Sequence, residues 1–205
     1  MINLNLKFFY LLKILLIYFL ILSSSFATND DIKKKLISVG PDNAAVKIKI
    51  FSSLTCPHCA NFHKNVVPKI KKNYVDPGKV QLIFIDFPLD LAALNASKLL
   101  HCLDKKKQML FLDTIYENQS KWTIGSEISE INSNLKKIVK NLGISDNKFK
   151  KCLDNEDIED KILNGRIDGE KKYSINSTPT IIINEKKFKD NANFENIKKK
   201  IENLI

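Results

Sequence analysis

Residues 46–64 read VKIKIFSSLTCPHCANFHK. Val46 to Phe51 alternates apolar and polar side chains, the period-two pattern of a strand, and ends in a small-residue turn. From Cys56 to Asn73 apolar or small residues recur at Cys59, Ala60, Phe62, Val66, Val67 and Ile70, close to helical spacing. Pro57 falls in the first turn, where no N–H is needed. Pro68 should kink the helix about one turn back. The tetrapeptide Cys56-Pro57-His58-Cys59 is thus predicted where a strand hands over to a helix N-terminus.

That location decides the chemistry of the pair. A thiolate at a helix start is stabilised by unpaired N–H groups and by the positive end of the helix dipole. Cys56 is therefore expected to have a depressed pKa and to be the nucleophile. Cys59, one turn further in, has the geometry to attack a mixed disulfide on Cys56, which makes it the resolving thiol. His58 is a further donor to the Cys56 anion. A stabilised thiolate is also a good leaving group, so the disulfide form is expected to be an oxidant. Two other readings stand beside this one. A purely structural Cys56–Cys59 disulfide would close a loop too small to stabilise much. A metal site of Cys56, Cys59 and His63 or His58 has suitable ligand types but lacks a second closely spaced pair.

Outward from this segment, Asp76-Pro77-Gly78 is a turn signal and Val80 to Phe87 (VQLIFIDF) a buried strand. Strand, helix and strand make a βαβ unit. From Leu91 to about Gly169 the period stays helical: Leu91 to Leu103, Gln108 to Asn118, Glu127 to Leu142 ending at Gly143 as a C-cap, Ser145 to Leu153, and Ile158 to Ile167. Strand character returns at Thr180 to Asn184, Asn184-Glu185-Lys186 suggests a tight hairpin, and Phe194 to Leu204 reads as a closing amphipathic helix. The expected fold class is α/β with an inserted all-helical part: residues 28–90 and 171–205 form one domain, and 91–170 are inserted into it. Trp122 is expected to anchor the inserted helices, while His63 and His101 are expected to be solvent-facing and partly exposed helix residues.

The whole chain of 205 residues carries 33 Lys plus Arg against 23 acids, a net charge of +10. A basic chain suggests a nucleic-acid or membrane partner. Only Arg166 is arginine, however, and bidentate phosphate and base recognition favours the guanidinium. No nucleic-acid partner is expected. Residues 1–27 differ from the rest. Lys7 and Lys13 precede the apolar run Ile14 to Leu22, and Ser25 and Ala27 are small residues suited to cleavage after Ala27. The charge-free run is shorter than the roughly 18 apolar residues that span a bilayer. A cleaved signal peptide is expected, with an uncleaved anchor as the alternative. Both export the chain to a disulfide-permissive compartment such as the periplasm. There the remaining Cys102 and Cys152 would most simply pair; two separate buried thiols are the alternative.

With these features together, the stretches FSSLTCPHCANFHK, GKVQLIFIDFPLD and STPTIIIN resemble the DsbA-like thiol:disulfide oxidoreductases, over essentially residues 36–205. The resemblance implies a thioredoxin fold with helices inserted before the third core strand. It implies that Pro179 is a cis-proline beside the Cys pair and that the Thr178 backbone pairs with an extended client segment, a recognition mode that reads little sequence. Independently, a proline heading a buried strand fits only at its start. Many relatives carry a buried acid where this chain has Ile50, so Asp86 on the neighbouring strand is a candidate for proton transfer, with water as the alternative. Some relatives also share a disulfide like Cys102–Cys152. The implied function is oxidation of reduced client proteins with exposed thiols, by a monomer reoxidised by a DsbB-like membrane quinone reductase, with no cofactor and no metal. Thr178 also occurs in relatives with isomerase or reductase roles, which are the alternatives, beside a non-enzymatic metal- or peptide-binding module. Dimeric isomerases of this fold carry an extra N-terminal domain, for which the stretch between Ala27 and the first predicted strand is too short.

Overall fold

Strand β2 (Val46–Ser52) lies in the middle of a five-stranded sheet of order β1-β3-β2-β4-β5. The computed structural model describes residues 37–205; the predicted signal segment lies outside them. β3 (Val80–Asp86) runs parallel to β2, pairing Val46 with Val80 and Ser52 with Asp86. β4 (Thr180–Ile183) is antiparallel on the other side, with Phe51 opposite Thr180. β1 (Ile37–Val39) and β5 (Lys186–Lys187) form the edges, antiparallel to β3 and β4. β1 carries no signal in the sequence reading, because three residues are too few to display a period.

The period-two pattern of β2 sorts its side chains between two faces. Val46, Ile48 and Ile50 enter the main core, whereas Phe51 joins Phe87, Ile175 and Ile182 in a smaller cluster. β2 continues into helix α1 (Pro57–Asn65), then α2 (Val67–Ile70) and a π-helical turn at Lys71–Val75. The break falls at Val66, whose φ is −110°. This is the expected effect of Pro68, which has no N–H to offer and whose ring crowds the preceding turn.

Between β3 and β4 lie α3 (Leu91–His101), α4 (Lys105–Glu117), the short α5 (Gln119–Trp122), α6 (Ile128–Lys140), α7 (Asp146–Leu153) and α8 (Glu156–Tyr173). The last helix, α9 (Phe194–Glu202), packs Ile197 and Ile201 into the main core. Asp90, Ser145, Asn155 and Asn193 each cap a helix by accepting from a first-turn amide. Gly143 ends α6 with φ +85°, and the Ile144 N–H reaches back to the Val139 carbonyl. Trp122 is fully buried and donates its indole N–H to the Ile115 carbonyl at 3.0 Å. Cys102, at the end of α3, is disulfide-bonded to Cys152 in α7, with Cα atoms 6.0 Å apart. No helix among the described residues is long and apolar enough to cross a membrane.

Helix α8 departs from expectation. The sequence pattern ends it near Ile167, and the expected domain boundary falls at residue 170, yet it continues to Tyr173. The continuation passes through Gly169, where the helix lies so close to the sheet that an added Cβ would sit 2.6 Å from a Phe51 ring carbon. Gly169 is there for close approach, not as a helix stop. Gly165, in the same helix, has open space around it. The two glycines should therefore respond with opposite sign. Gly165→Ala should stabilise the protein by up to about 1 kcal/mol through helix propensity. Gly169→Ala should destabilise it by about 1–3 kcal/mol through overpacking against Phe51. Urea denaturation of the two variants checks both signs.

Candidate active site

The turn leaving β2 brings the cysteine pair to the edge of the core. Ser53 and Leu54 are buried, and the Cys56 N–H closes the turn on the Ser53 carbonyl at 3.2 Å. Cys56 is the N-cap of α1, with φ −75° and ψ 120°, Pro57 follows in the first turn, and no side chain caps the helix. The Cys56 side chain thus stands at the start of α1 without bonding to its first-turn amides. His58 and Pro57 are exposed at this end of the helix. Both Cys56 and Cys59 are free thiols.

The second wall comes from the far side of the chain. The Thr178–Pro179 peptide bond is cis. The Cys56 thiol donates to the Thr178 carbonyl oxygen at 3.3 Å. β4 begins directly after Pro179, so its pairing with β2 is what holds that carbonyl over the sulfur. The Thr178 hydroxyl is buried without a hydrogen-bond partner. It lies towards Cys59, which is almost fully enclosed. Burial pushes the Cys59 thiol up to about 12; the Thr178 hydroxyl partly offsets this and Cys56 adds to it. The two sulfurs are thus unlike in setting: one at an uncapped helix start, the other deep and protonated.

Two flanks grip the turn. On one, the Thr55 hydroxyl donates to Asp90 at 2.7 Å, and the other Asp90 oxygen caps α3 by accepting from Ala93. On the other, the Gln119 amide donates to the carbonyls of Leu54 at 2.8 Å and Cys56 at 3.1 Å. Tyr116, one turn earlier, lies beside the Ser53 carbonyl. Burial raises the Tyr116 hydroxyl well above the ordinary phenol range, and the neighbouring Cys59 and Asp86 add to this. The sequence reading missed Gln119 and Tyr116. The signal available was the spacing of Tyr116, Gln119 and Trp122, which puts a polar amide in a buried stripe where it must find partners.

Asp86 ends β3 and pairs with Nε2 of His101 at 2.7 Å. Burial alone would raise its carboxyl. The hydrogen bond and charge of His101, with Ser97 and Lys161, outweigh burial and hold it below the usual carboxylate range. A cavity of about 10 Å³ separates this pair from Tyr116, lined also by Ser52 and Leu54. His101, read from sequence as a partly exposed helix residue, is a partly exposed residue at the end of α3, its side chain 12 % exposed. His63 requires a correction. It is buried, not solvent-facing: Nε2 lies 2.7 Å from Asp113 and the ring stacks 4.7 Å from Tyr116. The helical period put His63 near the site but did not reveal that α4 covers it.

The Thioredoxin family matches residues 33–203 of this chain. A Bacillus cereus protein named probable disulfide bond formation protein D is 33% identical over 175 residues, covering 80% of this chain and 76% of that protein. Among solved structures, alpha-DsbA1 of Wolbachia pipientis superposes with a TM-score of 0.76 at 29% identity, covering 82% of this chain and 90% of the other. Oxidised BdbD of Bacillus subtilis superposes with a TM-score of 0.71 at 25% identity, covering 83% and 93%.

Two outcomes follow from the thiol geometry. Thr178→Val removes the buried hydroxyl that partly offsets the effect of burial on the Cys59 thiol, so Cys59 should ionise at a still higher pH in the reduced variant, as read by thiolate ultraviolet absorbance. The pH dependence has a definite sign. Cys59 is raised from 9.0 to about 12 in the folded reduced chain. Above pH 9 the unfolded chain therefore loses a proton that the folded chain keeps. The reduced form should lose stability relative to the oxidised form as pH rises through that window, by up to about 1.4 kcal/mol per pH unit. Denaturation of both redox forms between pH 8 and 11 measures it.

Proposed function

The chain belongs to this Thioredoxin family and is a DsbA-like protein-disulfide oxidoreductase, and we propose that it is an exported oxidase that introduces disulfides into client proteins through Cys56 and Cys59. The observation that carries the reading is the inequality of the two sulfurs. Cys56 stands at an uncapped helix start under the Thr178 carbonyl, whereas Cys59 is enclosed and kept protonated.

In the forward reaction a client thiolate attacks Cys56 of the oxidised pair. A client–Cys56 disulfide forms, the Cys56–Cys59 bond breaks, and Cys59 leaves with the electron pair and takes up a proton. A second client thiolate then attacks the client sulfur of the mixed disulfide and expels Cys56 as a thiolate, which the helix start stabilises. The client loses two electrons and the pair gains them. The client segment lies extended beside Thr178 and Pro179, paired through backbone groups, which suits many sequences. A DsbB-like membrane quinone reductase accepts the two electrons and restores the disulfide. The chain works in the periplasm as a monomer, brought there by residues 1–27 acting as a signal peptide.

Reoxidation requires the proton to leave Cys59, and buried Ile50 occupies the strand position where many relatives carry an acid. Asp86 is our candidate for relaying that proton, across the small cavity it shares with Tyr116. Asp86→Asn keeps the side-chain shape and should slow attack by Cys59 on a Cys56 mixed disulfide; an unchanged pH–rate profile would retire the role.

The decisive experiment is the equilibrium of the Cys56–Cys59 couple against glutathione. The oxidase reading expects a potential well above that of thioredoxin; a thioredoxin-like value would assign the chain to reduction. Cys59→Ser should trap clients as mixed disulfides on Cys56, and Cys56→Ser should abolish exchange. A mature N-terminus at Thr28 in the exported protein, read by mass spectrometry, tests the signal peptide.

A further inference from the structure

Gln119 is a buried amide with no part in the chemistry described so far, and both its hydrogen bonds go to the turn that carries the nucleophile. It opens α5, within the insertion, far from the Cys pair in sequence. Its Nε2 donates to the carbonyls on either side of Thr55, those of Leu54 and Cys56. The Cys56 carbonyl also accepts from the Ala60 N–H at 3.1 Å, so it is at once the first acceptor of helix α1 and an acceptor for Gln119. Peptide groups are planar. Fixing the direction of the Cys56 carbonyl therefore fixes the Cys56–Pro57 peptide plane, and with it the start of the helix that Cys56 caps. Fixing the Leu54 carbonyl does the same for the Leu54–Thr55 plane, on the other side of Thr55. The Asp90–Thr55 hydrogen bond fixes the other flank of the turn.

We propose that Gln119 is a positioning residue for Cys56: its amide holds the carbonyl oxygens of Leu54 and Cys56, so that the negative ends of these two dipoles are met by a donor and the start of α1 is fixed next to the sulfur. The inserted helices thereby set the reactivity of the nucleophile. This inference rests on Cys56 being the thiolate nucleophile.

Two variants test it. Gln119→Met keeps an unbranched side chain of similar size without donors. Gln119→Glu keeps the shape and replaces the donor amide by a carboxyl. The measurement is the rate at which iodoacetamide alkylates the fully reduced protein from pH 4 to 8, with the labelled cysteine identified by mass spectrometry. In the native chain Cys56 should be labelled first and remain reactive at acid pH. Each variant should need a higher pH for the same rate, by about one unit, which is roughly a tenfold loss of Cys56 reactivity at a fixed acid pH. Urea denaturation run alongside separates this from a merely structural role, which would lower the unfolding midpoint and leave the pH profile of Cys56 in place. An unchanged profile in either folded variant overturns the inference alone. A native chain in which Cys56 reacts like free cysteine overturns the proposed function and the inference with it.

Discussion

A single contact organises the active end of this molecule: the Cys56 sulfur at the uncapped start of α1, held under the carbonyl of Thr178 at 3.3 Å. Each half of that contact needs a different part of the fold. The helix start requires β2 to end in a tight turn and Pro57 to begin the helix without needing an N–H. The carbonyl requires β4 to lie antiparallel to β2 in a register that puts Phe51 opposite Thr180. The sheet order, with β2 between β3 and β4, satisfies both. The rest of the chain stabilises this arrangement.

The asymmetry between the two thiols then follows from depth. One turn along α1 carries the chain deeper into the core: Cys56 is 8% exposed and Cys59 1%. Burial favours the neutral thiol, so the same helix that begins at Cys56 keeps Cys59 protonated one turn along. A dithiol built this way has a clear division of labour, at the cost of a proton that must enter and leave a closed interior. Around that interior the polar groups are paired: His63 with Asp113, His101 with Asp86, Gln119 with two carbonyls. The buried Thr178 hydroxyl lies beside the Cys59 sulfur and partly offsets the effect of its burial.

The helices between β3 and β4 do more than cover the sheet. α3 begins at Asp90, which also holds Thr55; α4 covers His63; α5 supplies Gln119; and α8 approaches Phe51 at Gly169. The Cys102–Cys152 disulfide ties the end of α3, next to His101, to α7. The insertion thus reaches the reactive turn from two sides, and its Trp122, Phe111 and Leu135 pack into the same main core as β2, β3 and α1.

Much of this was legible in the sequence, for local reasons. Alternation in VKIKIF, helical spacing after Cys56, Pro57 at the helix start and Pro68 at the break each act within one turn or one strand, so residue order alone determines them. The same holds for the site's chemistry, because a Cys-x-x-Cys pair at a strand-to-helix junction needs no distant partner to be recognised. What depends on distant partners was not legible. His63 has helical spacing suited to either face, and only the packing of α4 buries it against Asp113 and Tyr116. The close approach of α8 to the sheet at Gly169 shows only once Phe51 lies against it. Asp86 finds His101, and Gln119 finds Leu54 and Cys56, across 15 and more than 60 residues of chain. Periodicity reports which face a residue occupies; only the tertiary structure decides what that face meets, because pairing of buried polar groups is a constraint of three-dimensional packing.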